Sequence, residues 1–181
     1  MNTPRIARLL FLVLAAPLVL SGCDALSRVK GKVAPPCPPV YIMSDTATIT
    51  KYKEGRGRDL TDVEVEAEVV GFKGECVYND KGGEISLQLS FDARRGPAAV
   101  GRKVDLTYFV AIPKFYPAPE AKAIFTFPVS FPESADVIRV SDEEVVMRIP
   151  VRTKELIDKY EVYIGFQLTA EELEMNRRNK R

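Results

Sequence analysis

The 181-residue chain contains no histidine. That excludes Ser-His-Asp and Cys-His catalysis, and histidine-ligated zinc, from its own residues. Tryptophan is absent too, so aromatic surface comes from nine Phe and seven Tyr. Charge of one sign is lacking: 26 Lys and Arg against 25 Asp and Glu give a formal +1. The global basic field that drives nucleic-acid binding is therefore missing. No long hydrophobic run is present either. The most apolar stretch, Leu9 to Leu20, contains Pro17 and falls short of the ~20 residues a transmembrane helix needs. Cysteine is scarce, with three in all.

What is present begins with a leader. Arg5 and Arg8 precede Leu9 to Leu20, and Leu20-Ser21-Gly22-Cys23 follows. A basic segment, a short apolar core and small residues before a cleavage point are the parts of an export signal. A plain secretory signal cut elsewhere is the alternative. Leu20-Ser21-Gly22-Cys23 resembles the lipobox of bacterial lipoprotein signal peptides. The resemblance implies removal of residues 1–22, a diacylglycerol thioether on Cys23, and a palmitate-type acyl group on its amine. Several acyl chains anchor a protein stably, at ~0.8 kcal/mol per buried methylene. Asp24 comes next. In enteric bacteria Asp there resembles an inner-membrane retention signal, and both membranes stay open. The expected location is the cell envelope, periplasm-facing and lipid-anchored. Without its leader the chain has 24 basic residues (26 less Arg5 and Arg8) against 25 acidic.

Residues 23–39 read as a lipidated, Pro-rich tether. Arg28, Lys30 and Lys32 belong to a solvated linker or touch anionic headgroups, at about 1 kcal/mol each. Ala34-Pro35-Pro36-Cys37-Pro38-Pro39 is stiff and extended, because proline fixes φ and donates no hydrogen bond. With Cys23 taken by lipid, Cys37 and Cys76 remain. Beyond the inner membrane a disulfide is permitted. Closing about 40 residues stabilises by roughly 4 kcal/mol in the chain-entropy model. Two free buried thiols are the alternative.

From Val40 the pattern has period two, the mark of half-buried strands. Val40 to Lys53 holds one bent strand or two short ones. Val63, Val65, Ala67 and Val69 alternate with Glu64, Glu66 and Glu68. Gly71 to Gly74 reads as a turn, Cys76 to Tyr78 as a short strand, and Asn79 to Gly83 as a second turn. Ile85, Leu87, Leu89, Phe91 and Ala93 share one face. Val104, Leu106, Tyr108, Val110 and Ile112 share another, and Phe109 and Ala111 on the reverse suggest a central strand. Pro128 within the Phe125–Phe131 run marks an edge or a bulge. Val137–Val140 and Val145–Val151 read as a strand pair around Ser141-Asp142-Glu143. Lys154 to Lys159 reads as a helical turn, and Glu161–Leu168 as the last strand. Thr169 with Glu172 has capping-box form. The expected fold is all-β: an antiparallel β-sandwich (Ig-like) of about 7–9 strands with a short C-terminal helix. It forms a single domain over residues 40–181.

Four sets of residues invite a functional reading. Arg56 and Arg58, in a Gly-rich loop, and Arg94 and Arg95, near Arg102, are an anion site if the loops meet; bidentate guanidinium contacts suit carboxylate or phosphate. Glu64, Glu66 and Glu68 are ordinary solvated sheet surface, or bind a cation or pair with basic residues on a neighbouring strand. Asp59 and Asp62 are candidate Ca²⁺ ligands but fit no EF-hand spacing. Phe115 and Tyr116, between prolines, are a partner anchor if exposed and core if packed. The basic tail from Asn176 to Arg181 complements a helix C-terminus, with contact to lipid headgroups or a partner as the alternative.

Gly57-Arg58-Asp59-Leu60, Arg95-Gly96-Pro97-Ala98-Ala99, Tyr108-Phe109-Val110-Ala111-Ile112-Pro113 and Ile164-Gly165-Phe166-Gln167-Leu168-Thr169 resemble stretches of uncharacterised proteobacterial envelope lipoproteins. That resemblance implies no activity and no site residues. The expected function is a membrane-tethered interaction or scaffold module. Its partners would be the membrane, through lipid, and another envelope protein, with no nucleic acid, cofactor, metal or enzymatic role. A binder of a small anionic ligand or glycan fragment through the arginine loops is the alternative, and a carboxylate-based hydrolase comes third.

Overall fold

The computed structural model describes residues 36–55, 57–79, 82–149 and 157–179. The strands are β1 (Val40–Ile42), β2 (Thr48–Tyr52), β3 (Val63–Asn79), β4 (Gly82–Arg95), β5 (Lys103–Ala111), β6 (Lys122–Ser130), β7 (Val137–Ser141), β8 (Val145–Ile149) and β9 (Val162–Phe166). Helix α1 (Ala170–Asn179) follows them. Two sheets pack as a sandwich. One has the order β1-β9-β5-β6; the other runs β2-β3-β4-β7, with β8 also on β4.

The Ig-like character lies in two interlocked pairings. Strands β4 and β5 are consecutive but sit in opposite sheets. β4 receives β7 and β8, and β5 receives β9, all antiparallel. This matches the crossing of an immunoglobulin sandwich, where consecutive strands in opposite sheets are each paired later in the chain. One pairing departs from the antiparallel expectation: β1 runs parallel to β9.

Two local expectations need correction. Residues 71–74 are not a turn. They lie inside the 17-residue β3, which pairs with β4 from Val65 to Asn79. The register passes from Val69↔Phe91 to Gly71↔Ser90, so Val70 is an extra residue in a β-bulge. Likewise, β7 and β8 do not pair with each other. β7 lies on Ser90–Arg94 and β8 on Gly83–Leu87, end to end along β4. A 14-residue strand has more edge than one five-residue strand covers. The Asp142 N–H bonds to Leu89 O at 3.1 Å and carries the chain along that edge instead of reversing it. Of the two alternatives for Val40 to Lys53, the structure has the two short strands, in opposite sheets, with a 3-10 turn at Ser44–Thr46 between them.

Alternation becomes a core because both sheets turn their apolar rows inward. Leu87, Leu89, Phe91, Leu106, Tyr108, Val110, Ile164 and Phe166 are completely buried. Phe91 is the hub, with ring centroids 4.7 Å from Phe127, 5.4 Å from Tyr108 and 5.7 Å from Phe166. Each such side chain contributes about 1.5–3 kcal/mol on burial. β5 is central, and Phe109 on its reverse face is buried as well. β6 is an edge strand, where Pro128 sits opposite Asp105 without interrupting a ladder on its free side.

The capping box forms as expected. The Thr169 N–H donates to Glu172 Oε2 at 2.7 Å, and the Glu172 N–H donates to Thr169 Oγ1 at 3.2 Å. The helix docks through Asn176 Nδ2, which donates to Asp45 O and Thr48 O, and through the Arg177–Asp45 ion pair at 3.1 Å. Ile157–Lys159 forms a 3-10 turn; the start of the expected helical turn lies outside the described residues.

Candidate functional site

The arginines are placed by three different local structures. Arg58 follows the Gly-rich loop and donates to Gly57 O at 2.8 Å, pairs with Glu171 of α1 at 3.4 Å, and lies over the Tyr52 ring. Arg94 points out from β4 and faces Glu66 of β3 at 4.0 Å. Arg95, one residue on, organises the β4–β5 loop: its Nε donates to Gly101 O at 2.8 Å and its Nη2 to Ala99 O at 2.9 Å. Arg102 donates to Pro132 O at 2.7 Å and pairs with Asp136 at 3.3 Å. Arg58, Arg94 and Arg95 therefore turn toward separate partners of this chain and share no site. Arg56 and Cys23 lie outside the described residues.

The acidic candidates are also absorbed locally. Asp59 accepts the Thr61 N–H at 2.7 Å and its hydroxyl at 2.6 Å, while Asp62 accepts the Asp59 N–H at 3.4 Å. The pair caps a 3-10 turn at Leu60–Asp62. The Thr61 hydroxyl and N–H hold the Asp59 carboxyl below its usual range. Among the described residues no cluster of three or more Cys, Asp or Glu could hold a metal ion.

The outer face of the β2-β3-β4-β7 sheet forms an open groove of about 430 Å³, lined in part by Thr50, Glu66, Glu68, Asp92, Arg94 and Val137. Registry sets its charge pattern. One row across the strands is Thr48, Glu68, Asp92, Arg139; the next is Thr50, Glu66, Arg94, Val137. Arg139 grips Asp92 with two bonds of 2.6 and 2.7 Å. That bidentate contact holds the Asp92 carboxyl below its usual range. Sequence reading missed Arg139, because only strand registry places it beside Asp92.

The chain enters the domain at the far end of the β3–β4 hairpin. Cys37 and Cys76 form a disulfide with Cα atoms 5.7 Å apart. Beside it, the Tyr78 hydroxyl donates to Pro36 O at 2.7 Å and accepts the Ile157 N–H at 3.3 Å. Pro39 O accepts the Val162 N–H at 2.9 Å, so residues 36–39 are tied to both sheets. The two residues of the aromatic pair separate. Phe115 packs on Tyr160 with centroids 5.3 Å apart, whereas Tyr116 is 81% exposed.

Compared with known proteins, the chain matches no family model and has no significant similarity to a curated protein or to a solved structure.

Proposed function

We propose that this protein is a lipid-anchored envelope module that binds or scaffolds another envelope component. The carrying observation is the Cys37–Cys76 disulfide, set where the chain enters the domain. Disulfides of this kind persist in oxidising compartments, and a Cys-bearing leader before an oxidised domain suits export followed by lipidation at Cys23. Two features favour a binding module. The arginines that would form an anion pocket are engaged within the chain. Extended surface is offered instead, as open strand edges and exposed apolar tips such as Tyr116 and Val100.

Fractionation of the native host tests the anchor. The wild-type chain is expected in the membrane pellet and Cys23→Ser in the soluble envelope fraction. Membrane retention of Cys23→Ser overturns the lipid reading. Crosslinking in cells with mass spectrometry then tests the module: a partner recovered at near-equal stoichiometry supports it, and recovery of the chain without any partner removes it.

A further inference from the structure

Among the described residues, no strand pairs with the outer edge of the second half of β3. β2 covers β3 only from Val63 to Glu68, and the last bond on that side runs from the Val69 N–H to Ala47 O. Past the bulge at Val70 the alternation shifts by one residue. The peptide groups of Phe72, Gly74, Cys76 and Tyr78 then face away from β4. Gly74 is exposed although all its heavy atoms are backbone, so the edge itself meets solvent. Phe72, on the inward side at this edge, is 38% exposed.

Edges of this sort are usually blunted by proline or covered. β6 carries Pro128, but β3 has none from Gly71 to Asn79. Its outward row is Gly71, Lys73, Glu75, Val77 and Asn79. Elsewhere on this sheet three cross-strand charge pairs close inside the chain: Glu66 with Arg94, Asp92 with Arg139 and Glu84 with Arg148. Lys73 and Glu75 face Gln88 and Ser86 and have no ion-pair partner among the described residues.

We propose that this edge pairs antiparallel with the same edge of a second copy of the chain, about a two-fold axis at Gly74. An isologous contact must be self-complementary, and this register is. Lys73 falls opposite Glu75 of the other copy, and Glu75 opposite its Lys73. Val77, 60% exposed, falls opposite Gly71, where an added Cβ would meet nothing within 4 Å. Phe72 falls opposite the disulfide-bonded Cys76. The contact lies at the small end of interfaces, so it suits molecules concentrated on a surface and is weak in dilute solution. The inference names a partner for the module proposed above but does not require the lipid.

The test is sedimentation equilibrium over a concentration series of the full chain carrying Cys23→Ser, which separates self-pairing from anchoring. A concentration-dependent dimer is expected. Lys73→Glu and Glu75→Lys each place like charges opposite one another twice and are expected to weaken it about tenfold or more. The double variant Lys73→Glu/Glu75→Lys restores opposite charges and is expected to recover the dimer. Both side chains are exposed, so unfolding midpoints should not move. A monomer throughout, a dimer indifferent to either reversal, or a double variant that fails to recover each overturns the proposal.

Discussion

Gly96 shows how one missing Cβ holds a loop in place. Its N–H bonds to Glu64 O at 2.8 Å, and a Cβ there would overlap the Val63 carbonyl. The obstacle is backbone, which does not move aside as a flexible side chain does. Gly96→Ala is therefore expected to destabilise by about 1–3 kcal/mol, the usual range for overpacking, read as a fall in the urea midpoint. The Asp92–Arg139 pair makes a different residue-scale prediction. It is exposed, so its effect shows in titration before stability. Arg139 lowers the Asp92 pKa, so the pair's stabilising contribution is present above the ordinary carboxylate range and fades as pH falls through the folded value. In Arg139→Gln the Asp92 carboxyl is expected to titrate upward toward its ordinary value, as measured by carboxyl carbon NMR. An unchanged titration would remove Arg139 as the cause.

Strand β3 marks the limit of what the sequence shows at the scale of an element. Val63, Val65, Ala67 and Val69 point inward; so do Phe72, Gly74, Cys76 and Tyr78, one position out of phase. That single shift is a bulge written in the sequence. It is easily taken for a turn because Gly71 and Gly74 both fall within it. What decides is the continuous partner β4, whose alternation from Ile85 to Ala93 is unbroken and was legible. The edge role of β6 was legible from Pro128, and the α1 cap from Thr169 and Glu172. The fates of Arg58, Arg94 and Arg95 were not, because their acceptors lie on other strands or across loops. The bulge can be tested by removal. Deleting Val70 leaves Val69 opposite Phe91 and Gly71 opposite Ser90, which is a regular ladder. The Cys37–Cys76 disulfide is then expected to form normally, with stability within about 1 kcal/mol of the parent. Thiol labelling without reductant checks this, and free thiols at both cysteines would contradict the bulge assignment.

At the scale of the whole molecule, the two sheets are joined by apolar contact and by a few polar ties between them. Lys51 reaches from β2 to Asp105 O on β5 at 3.0 Å. Tyr108 is the more demanding tie. Its ring is fully buried on β5, and its hydroxyl donates to Asp142 Oδ2 at 2.7 Å, on the connection that leads from β7 to β8. Burial first, and the bond to Asp142 second, push the phenol well above the ordinary tyrosine range. In the folded state the proton is held; in the unfolded chain it leaves near pH 10. The unfolded state then binds fewer protons, so this contribution is complete below about pH 10 and shrinks as pH rises beyond it. Tyr108→Phe removes the bond but keeps the ring, and is expected to cost about 1–2 kcal/mol at neutral pH. The other tyrosines are the same in both chains, so the difference between the two isolates Tyr108. That difference, read from urea unfolding at neutral pH and again near pH 11, is expected to narrow as the wild type loses its advantage. A gap that stays constant across this range would mean that folding leaves the Tyr108 phenol as it is in the unfolded chain, and no gap at neutral pH would mean that Tyr108 joins the sheets through its ring alone.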